Sequence, residues 1–413
     1  MWAVTEATKP KPPLHLIDDM AWCWWTRPRA TRIGNDVFFA ALDQEGGMVA
    51  ARYELGSGAV QRSTLARFED DDHNNPALLA VAGKPLVCFY SRHDAEEGLR
   101  YRISTAPLSL DAWHPEQRLA FNGSTTYAQV HDVGGTLHLF TRVNETRWGW
   151  SMSTDWAQTW SAPRDFLSFA TDQQIYMATT LLADGRTMRV GVSGHPKEYE
   201  KRPLHDIWAC LVDLETGAVT LPASGTQIGN LKTGAGMPLD YPALELVHQT
   251  AHDRTVNLFD VSSGPVFEIG YVSKLKDDLT TRDGWHHVAS LRHGRWVVDD
   301  IVPTGRKFGY IDAGLYVGSI AFPERVASGQ LYLTREAEGL WHLEYWQRDV
   351  EGHWTPTPLA APGPQRLTRP WPVTPPASEL GVVALSLERY ADDSYFGSLS
   401  HLVGAALPEG FKP

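Results

Sequence analysis

Residues 86–105 read LVCFYSRHDAEEGLRYRIST: an apolar run, a polar turn, and a second run in which aromatic and branched residues alternate with charged ones. Two strands joined by a short connection have this pattern. The same hairpin recurs along the chain. First strands begin near Val37 (VFFAALD), Leu86 (LVCFYSRH), Leu137 (LHLFTRVN), Met188 (MRVGVSGH), Val256 (VNLFDVSS), Leu331 (LYLTREAE) and Val382 (VVALSLER). Their return strands read MVAARYEL, LRYRIST, WGWSMST, IWACLVDL, FEIGYVS, WHLEYWQ and YFGSLSH. Four of the six intervals between copies are close to fifty residues, a period that suits four strands per blade of a propeller. The expectation is an all-β chain forming a seven-bladed β-propeller, one domain over 1–413.

Each of the first five hairpins follows another strand-like segment ending in a turn signal: PRATRIGND, NPALLAVAGK, YAQVHDVGGT, MATTLLADGR and YPALELVHQTAHD. These are read as innermost strands. The longer fifth and sixth repeats are read as holding loop insertions at 274–283 and 292–307. Ser153, Asp155, Thr159 and Trp160 reproduce most of the turn S-x-D-x-G-x-T-W that recurs in sialidase-like propellers, with Ala157 in place of its Gly. A degenerate copy is read at Asp349, Gly352 and Trp354. Both are taken as folding turns outside a blade.

The 413 residues are 43% hydrophobic and carry a net charge of −12. No apolar run is long enough to span a membrane, and no Lys/Arg cluster offers a surface for nucleic acid. An acidic sugar is not excluded, because one or two local cations suffice to recognise a uronate. Cys23, Cys88 and Cys210 are odd in number, widely spaced and flanked by apolar residues, and are read as buried free thiols. Residues 1–13 show no basic segment followed by an apolar one, so the protein is expected to be cytoplasmic as it stands, or secreted or periplasmic if a signal was removed.

Topology gathers distant residues. If an innermost strand starts at one face, its antiparallel partner ends there. This brings DDHNNP (71–76) to Arg92-His93, Thr126-Tyr127 to Arg142, and Ile175-Tyr176 to His195. His73, His93, Tyr127, Arg142, Tyr176 and His195 are therefore expected around one mouth of the channel, where convergent titratable groups suit proton transfer. Asn74 braces the turn and is a candidate for substrate contact, with the acidic pair Asp71-Asp72 read as solvating the turn. Trp24 and Arg27, with Trp22, Trp25 and Arg29, are candidates for a pocket wall, and Tyr241 is a further candidate for substrate contact. Trp148, Trp150, Trp208 and Trp341 are assigned to the core. No nucleophile elbow, phosphate loop, dinucleotide fingerprint, H-E-x-x-H or CxxC pair occurs, and no paired carboxylates stand out for glycoside hydrolysis.

At these residues the chain resembles the BNR-repeat-like propeller polysaccharide lyases, the ulvan lyases and the rhamnose-glucuronate lyases acting on arabinogalactan-type gums. The resemblance runs through AWCWWTRPRA, DDHNNPALL, the FYSRH strand end and the blade repeat. In those enzymes a His in an HNNP-like turn is followed by a second about twenty residues on, as His73 and His93 are here, and a Tyr precedes an Arg as Tyr127 precedes Arg142. The resemblance implies β-elimination at a glucuronate carrying a group on O4, in gum arabic-type rhamnosyl-glucuronate ahead of ulvan. Arg142 would neutralise the carboxylate with His93 as second donor, while Tyr127 and His73 would share the roles of base and acid in either order. A non-catalytic carbohydrate-binding propeller and a glycosidase of the same fold are the alternatives. No cofactor is expected for catalysis, and a structural divalent cation in the channel is compatible with the sequence.

Overall fold

A computed structural model describes residues 10–69, 71–93, 95–169, 173–194, 205–251, 253–275, 284–306, 317–324, 327–389 and 399–407. Strands dominate, and among the described residues no helix is long and apolar enough to cross a membrane. All seven first strands form where the hairpin pattern places them: Asp36–Leu42, Pro85–Tyr90, Thr136–Val143, Thr187–Gly194, Arg254–Val261, Gln330–Ala337 and Val382–Arg389. Each pairs antiparallel with the strand that returns from it. The fold is a β-propeller.

Seven separate four-stranded blades are not what the hydrogen bonds draw. They divide the described strands into six sheets, four of them four-stranded. The count falls short because Gln117–Val133 is a single strand of 17 residues. Its first half pairs with Glu97–Pro107 and its second half with Thr136–Val143, joining two groups into one seven-stranded sheet. A further correction concerns YPALELVHQTAHD. Tyr241–Ala243 is a 3-10 turn, and Glu245–His248 pairs with Ile207–Asp213 in the preceding sheet. The fifth innermost strand is instead Arg254–Val261 itself, and its sheet is completed outward by Glu268–Leu275, Trp285–Arg292 and Arg295–Pro303. Most of 292–307 is thus strand rather than inserted loop, while 276–283 lies outside the described residues.

The ends of the chain close the ring. Leu14–Asp18 pairs with Leu399–Ala405, which continues through Val382–Arg389 to Arg366–Pro372. One core cluster extends from Leu16 to Ala405, with Trp148, Trp150, Trp208 and Trp341 buried in it. All three cysteines are buried and free. The turn at Ser153 forms as read: Asp155 accepts from the Thr159 amide and hydroxyl, and Ala157 takes the positive φ of 64° that explains why Gly is usual there.

Candidate active site

The turn that precedes Ala77–Leu79 carries half of the site. Asp71 caps a single 3-10 turn, Asp72–Asn74, by accepting from the His73 amide. Asn74 Oδ1 then accepts from the His93 amide at 2.6 Å, tying the start of the innermost strand to the end of its partner. Asn75 Oδ1 accepts from the Cys23 amide and the Thr26 hydroxyl, which fixes the Trp-rich segment against the same turn. As a result the His73 and His93 rings stack, with centroids 4.5 Å apart and planes 11° from parallel. Asp71 serves both: its Oδ1 lies 2.6 Å from His73 Nδ1 and its Oδ2 lies 2.9 Å from His93 Nδ1. Anchoring through Nδ1 fixes both ring orientations. His93 Nε2 lies 3.4 Å from Arg142 Nη2 and 3.4 Å from Glu145 Oε1.

The other half comes from a β-bulge. Pairing between Gln117–Val133 and Thr136–Val143 shifts register between Phe140 and Arg142, and opposite this shift Tyr127 adopts φ 58°, a region a tyrosine seldom enters. Such a conformation costs roughly 1–3 kcal/mol and re-aims the side chain. Tyr127 is 1% exposed, and the Arg142 guanidinium lies over its ring at 4.6 Å. Tyr176, from the start of Ile175–Leu181, stacks on Trp25 at 3.8 Å and meets the same guanidinium at 5.3 Å. Arg142 is itself 1% exposed, yet its Nε and Nη1 make no hydrogen bond among the described residues. Its Nη2 is 3.6 Å from Glu145 Oε1.

The electrostatics follow from these contacts. Burial alone would lower the His73 pKa, but the carboxylates of Asp71 and Asp72 outweigh it and hold the group well above its ordinary value. His73 is therefore an imidazolium at neutral pH. Despite burial, contact with His73 keeps both Asp71 and Asp72 below the usual carboxylate range. Burial pushes the Tyr127 phenol well above its normal value and Tyr176 up to about 12, so both are neutral. The hydrogen bond to His93, with Arg142 nearby, brings Glu145 down to about 2. None of these carboxylates has the raised pKa that a glycosidase needs in its general acid. What the arrangement offers is a pair of cations, the buried Arg142 and the half-buried His73, bordered by two phenols and a second imidazole. Asp71, His73 and His93 also present ligand atoms within 4.8 Å of one another, although an imidazolium at His73 has no lone pair for a metal.

The structure thus brings together His73, His93, Tyr127, Arg142 and Tyr176, with Asn74 as brace. Trp24 packs against Trp25 at 5.6 Å, is stacked on Phe259 at 5.5 Å, and has the Arg369 guanidinium over its ring at 4.2 Å. Two expected residues are elsewhere. Arg27 is ion-paired with Asp260 and lines a cavity of about 270 Å³ with His131, Thr180, Glu324 and Trp371, at the opposite ends of the innermost strands. Tyr241 packs on Phe169 and Trp208 at 5.6 and 5.5 Å, because its segment belongs to the outer part of a sheet. His195 lies outside the described residues. Asp71, read from sequence as a turn residue, is the carboxylate that organises both imidazoles, and only its place two residues before His73 hinted at this.

The model of a family described as "BNR repeat-containing family member" matches residues 23–255. No curated protein matches the chain. Among solved structures, an ulvan lyase from a polysaccharide lyase family is similar at 14% identity and a TM-score of 0.75, over 95% of each chain. A second structure of ulvan lyase, bound to glucuronate joined 1,4 to 3-sulfated rhamnose, gives 14% identity and a TM-score of 0.73 over 96% of each chain. The BP39L lectin from Burkholderia pseudomallei is similar at 12% identity and a TM-score of 0.52, over 93% of this chain and 97% of its own. At these identities the likeness is one of fold.

Proposed function

For this chain, which belongs to the BNR repeat-containing family, we propose the activity of a polysaccharide lyase that breaks the bond to O4 of a glucuronate by β-elimination. The observation that carries the reading is the Arg142 guanidinium: buried, with two nitrogens, Nε and Nη1, unpartnered among the described residues, beside an imidazole pair and a phenol. A buried donor without an acceptor is costly, and a ligand carboxylate supplies what this one lacks. Removing the C5 proton spreads negative charge onto that carboxylate, so a fixed cation there lowers the barrier more than it strengthens binding.

In the reaction the C5–H bond breaks to a base, its electrons form the C4–C5 double bond, the C4–O4 bond opens, and O4 takes a proton. Arg142 and His93 hold the carboxylate, and Tyr127 and His73 flank it as the proton-transfer pair. Both are protonated in the resting site, so whichever acts as base first gives its own proton to solvent and then accepts the one from C5. The other delivers one to O4. No cofactor enters the scheme.

We read the substrate as rhamnosyl-glucuronate of gum arabic type, with ulvan second, and the chain as one domain of seven blades. Supporting seven, two cavities that share Arg27, Thr180, Glu324 and Trp371 are lined from all seven repeats: Thr31, Ala80, His131, Thr180, Val261, Phe322 and Trp371 each come from a different one. The test is ultraviolet absorbance of unsaturated uronate on rhamnose-capped glucuronate, gum arabic and ulvan. Turnover of at least one, lost in Arg142→Ala, supports elimination. Binding of these sugars without any absorbing product would make the protein a carbohydrate-binding propeller.

A further inference from the structure

The ring closes where the first described strand meets the last, and that seam carries a cluster outside the active site. Leu14–Asp18 lies antiparallel to Leu399–Ala405, with Asp18 opposite His401 and His15 opposite Val403. Residues three apart on a regular strand point to opposite faces. Here the register shifts between His15 and Ile17, and the exposure order is irregular: Leu14 and His15 out, Leu16 and Ile17 in, Asp18 out. The bulge therefore turns His15 and Asp18 to the same solvent face. Asp18 Oδ1 then lies 2.9 Å from His15 Nε2 and 3.0 Å from His401 Nδ1, and the three potential ligand atoms all fall within 4.8 Å of one another.

We propose that His15, Asp18 and His401 form a site for a divalent transition-metal ion, zinc in the first instance, which staples the two ends of the chain together. Two imidazoles and one carboxylate are a zinc-type donor set, with water as the fourth ligand. Bonds of about 2.0–2.1 Å in a tetrahedron place donor atoms about 3.3 Å apart, so the Asp18 contacts need to open by only a few tenths of an ångström. The bulge gives the arrangement its purpose: without it His15 would face the core side and no three-ligand set would exist. His401 is held with 14% of its side chain exposed, whereas His15 and Asp18 are 54% and 74% exposed, so one ligand is anchored and two stand open to an incoming ion. Joining strands from opposite ends of the chain constrains almost its whole length, where a cross-link removes the most freedom from the unfolded chain.

The experiment compares the wild type with His15→Ala, Asp18→Ala and His401→Ala after chelation and dialysis. It uses zinc titration calorimetry, the visible spectrum of added cobalt(II), and melting with and without zinc. The wild type should bind one zinc, show a tetrahedral cobalt spectrum, and melt a few degrees higher with zinc than with chelator. Each variant should bind zinc at least about tenfold more weakly and lose the zinc-dependent part of its melting temperature. Because His401 is packed, the exposed His15→Ala is the decisive variant should His401→Ala fail to fold. Elimination activity of the chelated wild type, assayed below its melting temperature, should be unchanged. Absence of stoichiometric binding, or equal melting with and without zinc, overturns the proposal. So does zinc binding that survives in His15→Ala and disappears in His93→Ala, which would place the ion at Asp71, His73 and His93.

Discussion

The two mouths of the channel use the same residue types to opposite ends. Tyr127 and His131 stand four residues apart on one strand, about 13 Å at the usual strand rise, yet their surroundings differ in sign. At one mouth, Asp71 and Asp72 keep the half-buried His73 charged. At the other, burial, reinforced by Arg27, lowers His131 to about 3, a neutral ring whose Nε2 lies 2.8 Å from the Thr179 hydroxyl. The arginines diverge similarly. Arg27 is in direct contact with Asp260, whereas Arg142 comes no nearer than 3.6 Å to Glu145. Burial by itself strips charge from a histidine, and the placing of carboxylates decides which mouth retains cations for an acidic ligand.

The largest effect should separate the two arginines. Arg142→Ala should lower kcat/KM for elimination a hundredfold or more, about 3 kcal/mol of barrier, as expected when one preorganised partner of the developing charge is lost. Arg27→Ala leaves Asp260 buried without its cation, and should cost about 3–5 kcal/mol of stability while leaving turnover below the melting temperature within a few fold. Steady-state assays paired with melting curves read both. Equal activity losses would erase the distinction between the mouths.

Tyr127→Phe comes next. The ring and its contact with Arg142 remain, but the transferable proton is gone, so kcat should fall about a hundredfold with little change in KM. A rise in KM alone would reduce Tyr127 to a binding role. Asp71→Asn should have a smaller effect, about ten- to a hundredfold, since Asp71 acts through the imidazoles it positions. It also carries a pH signature. Because His73 and Tyr127 both hold their protons beyond the ordinary range, wild-type turnover should climb as pH rises above neutral. With Asp71 neutralised, the His73 pKa drops and that limb should move to lower pH. A limb that stays put while activity falls would assign the base to Tyr127.

Much of this was legible in the chain. The first six hairpins formed as read because apolar first strands and aromatic returns specify a buried pair regardless of what lies beside them, while of the seventh return, YFGSLSH, residues 395–398 lie outside the described residues and the strand seen is Leu399–Ala405. Strand-end pairing then sufficed to gather His73, His93, Tyr127 and Arg142. One failure arises because strand composition does not name the strand's partner. YPALELVH has the apolar content of an innermost strand, yet Glu245–His248 pairs with Ile207–Asp213, and Tyr241 went with it. Arg27 is two residues from Trp25, but Trp25 adopts φ 63° and sends its ring to Tyr176, while Arg27 turns toward Asp260. A positive φ at tryptophan or tyrosine is a tertiary outcome that no local pattern announces. Asp71 was hidden differently: an acidic pair before a turn is common, and only the stacked rings reveal what it holds.

The smallest effect is thermodynamic, and it tests the contrast between the histidines directly. His73 has a folded pKa above its unfolded one, so its contribution to stability is complete below the unfolded value near 6.5 and is lost as pH rises toward the folded value. His131 runs the other way. Its folded pKa of about 3 lies below the unfolded one, so the native state is favoured while the ring is neutral, and stability is lost as pH falls from about 6.5 toward 3. Denaturant unfolding from pH 5 to 9 should therefore show His73→Asn flattening the decline on the alkaline side and His131→Asn flattening the decline on the acid side, even though each variant is less stable overall. If His131→Asn leaves the acid-side slope unchanged, His131 is already charged in the folded protein, and the two mouths do not differ in the way their carboxylates imply. If His73→Asn leaves the alkaline slope unchanged, Asp71 and Asp72 do not hold a proton on the stacked pair, and the cationic partner of a bound uronate would be Arg142 alone.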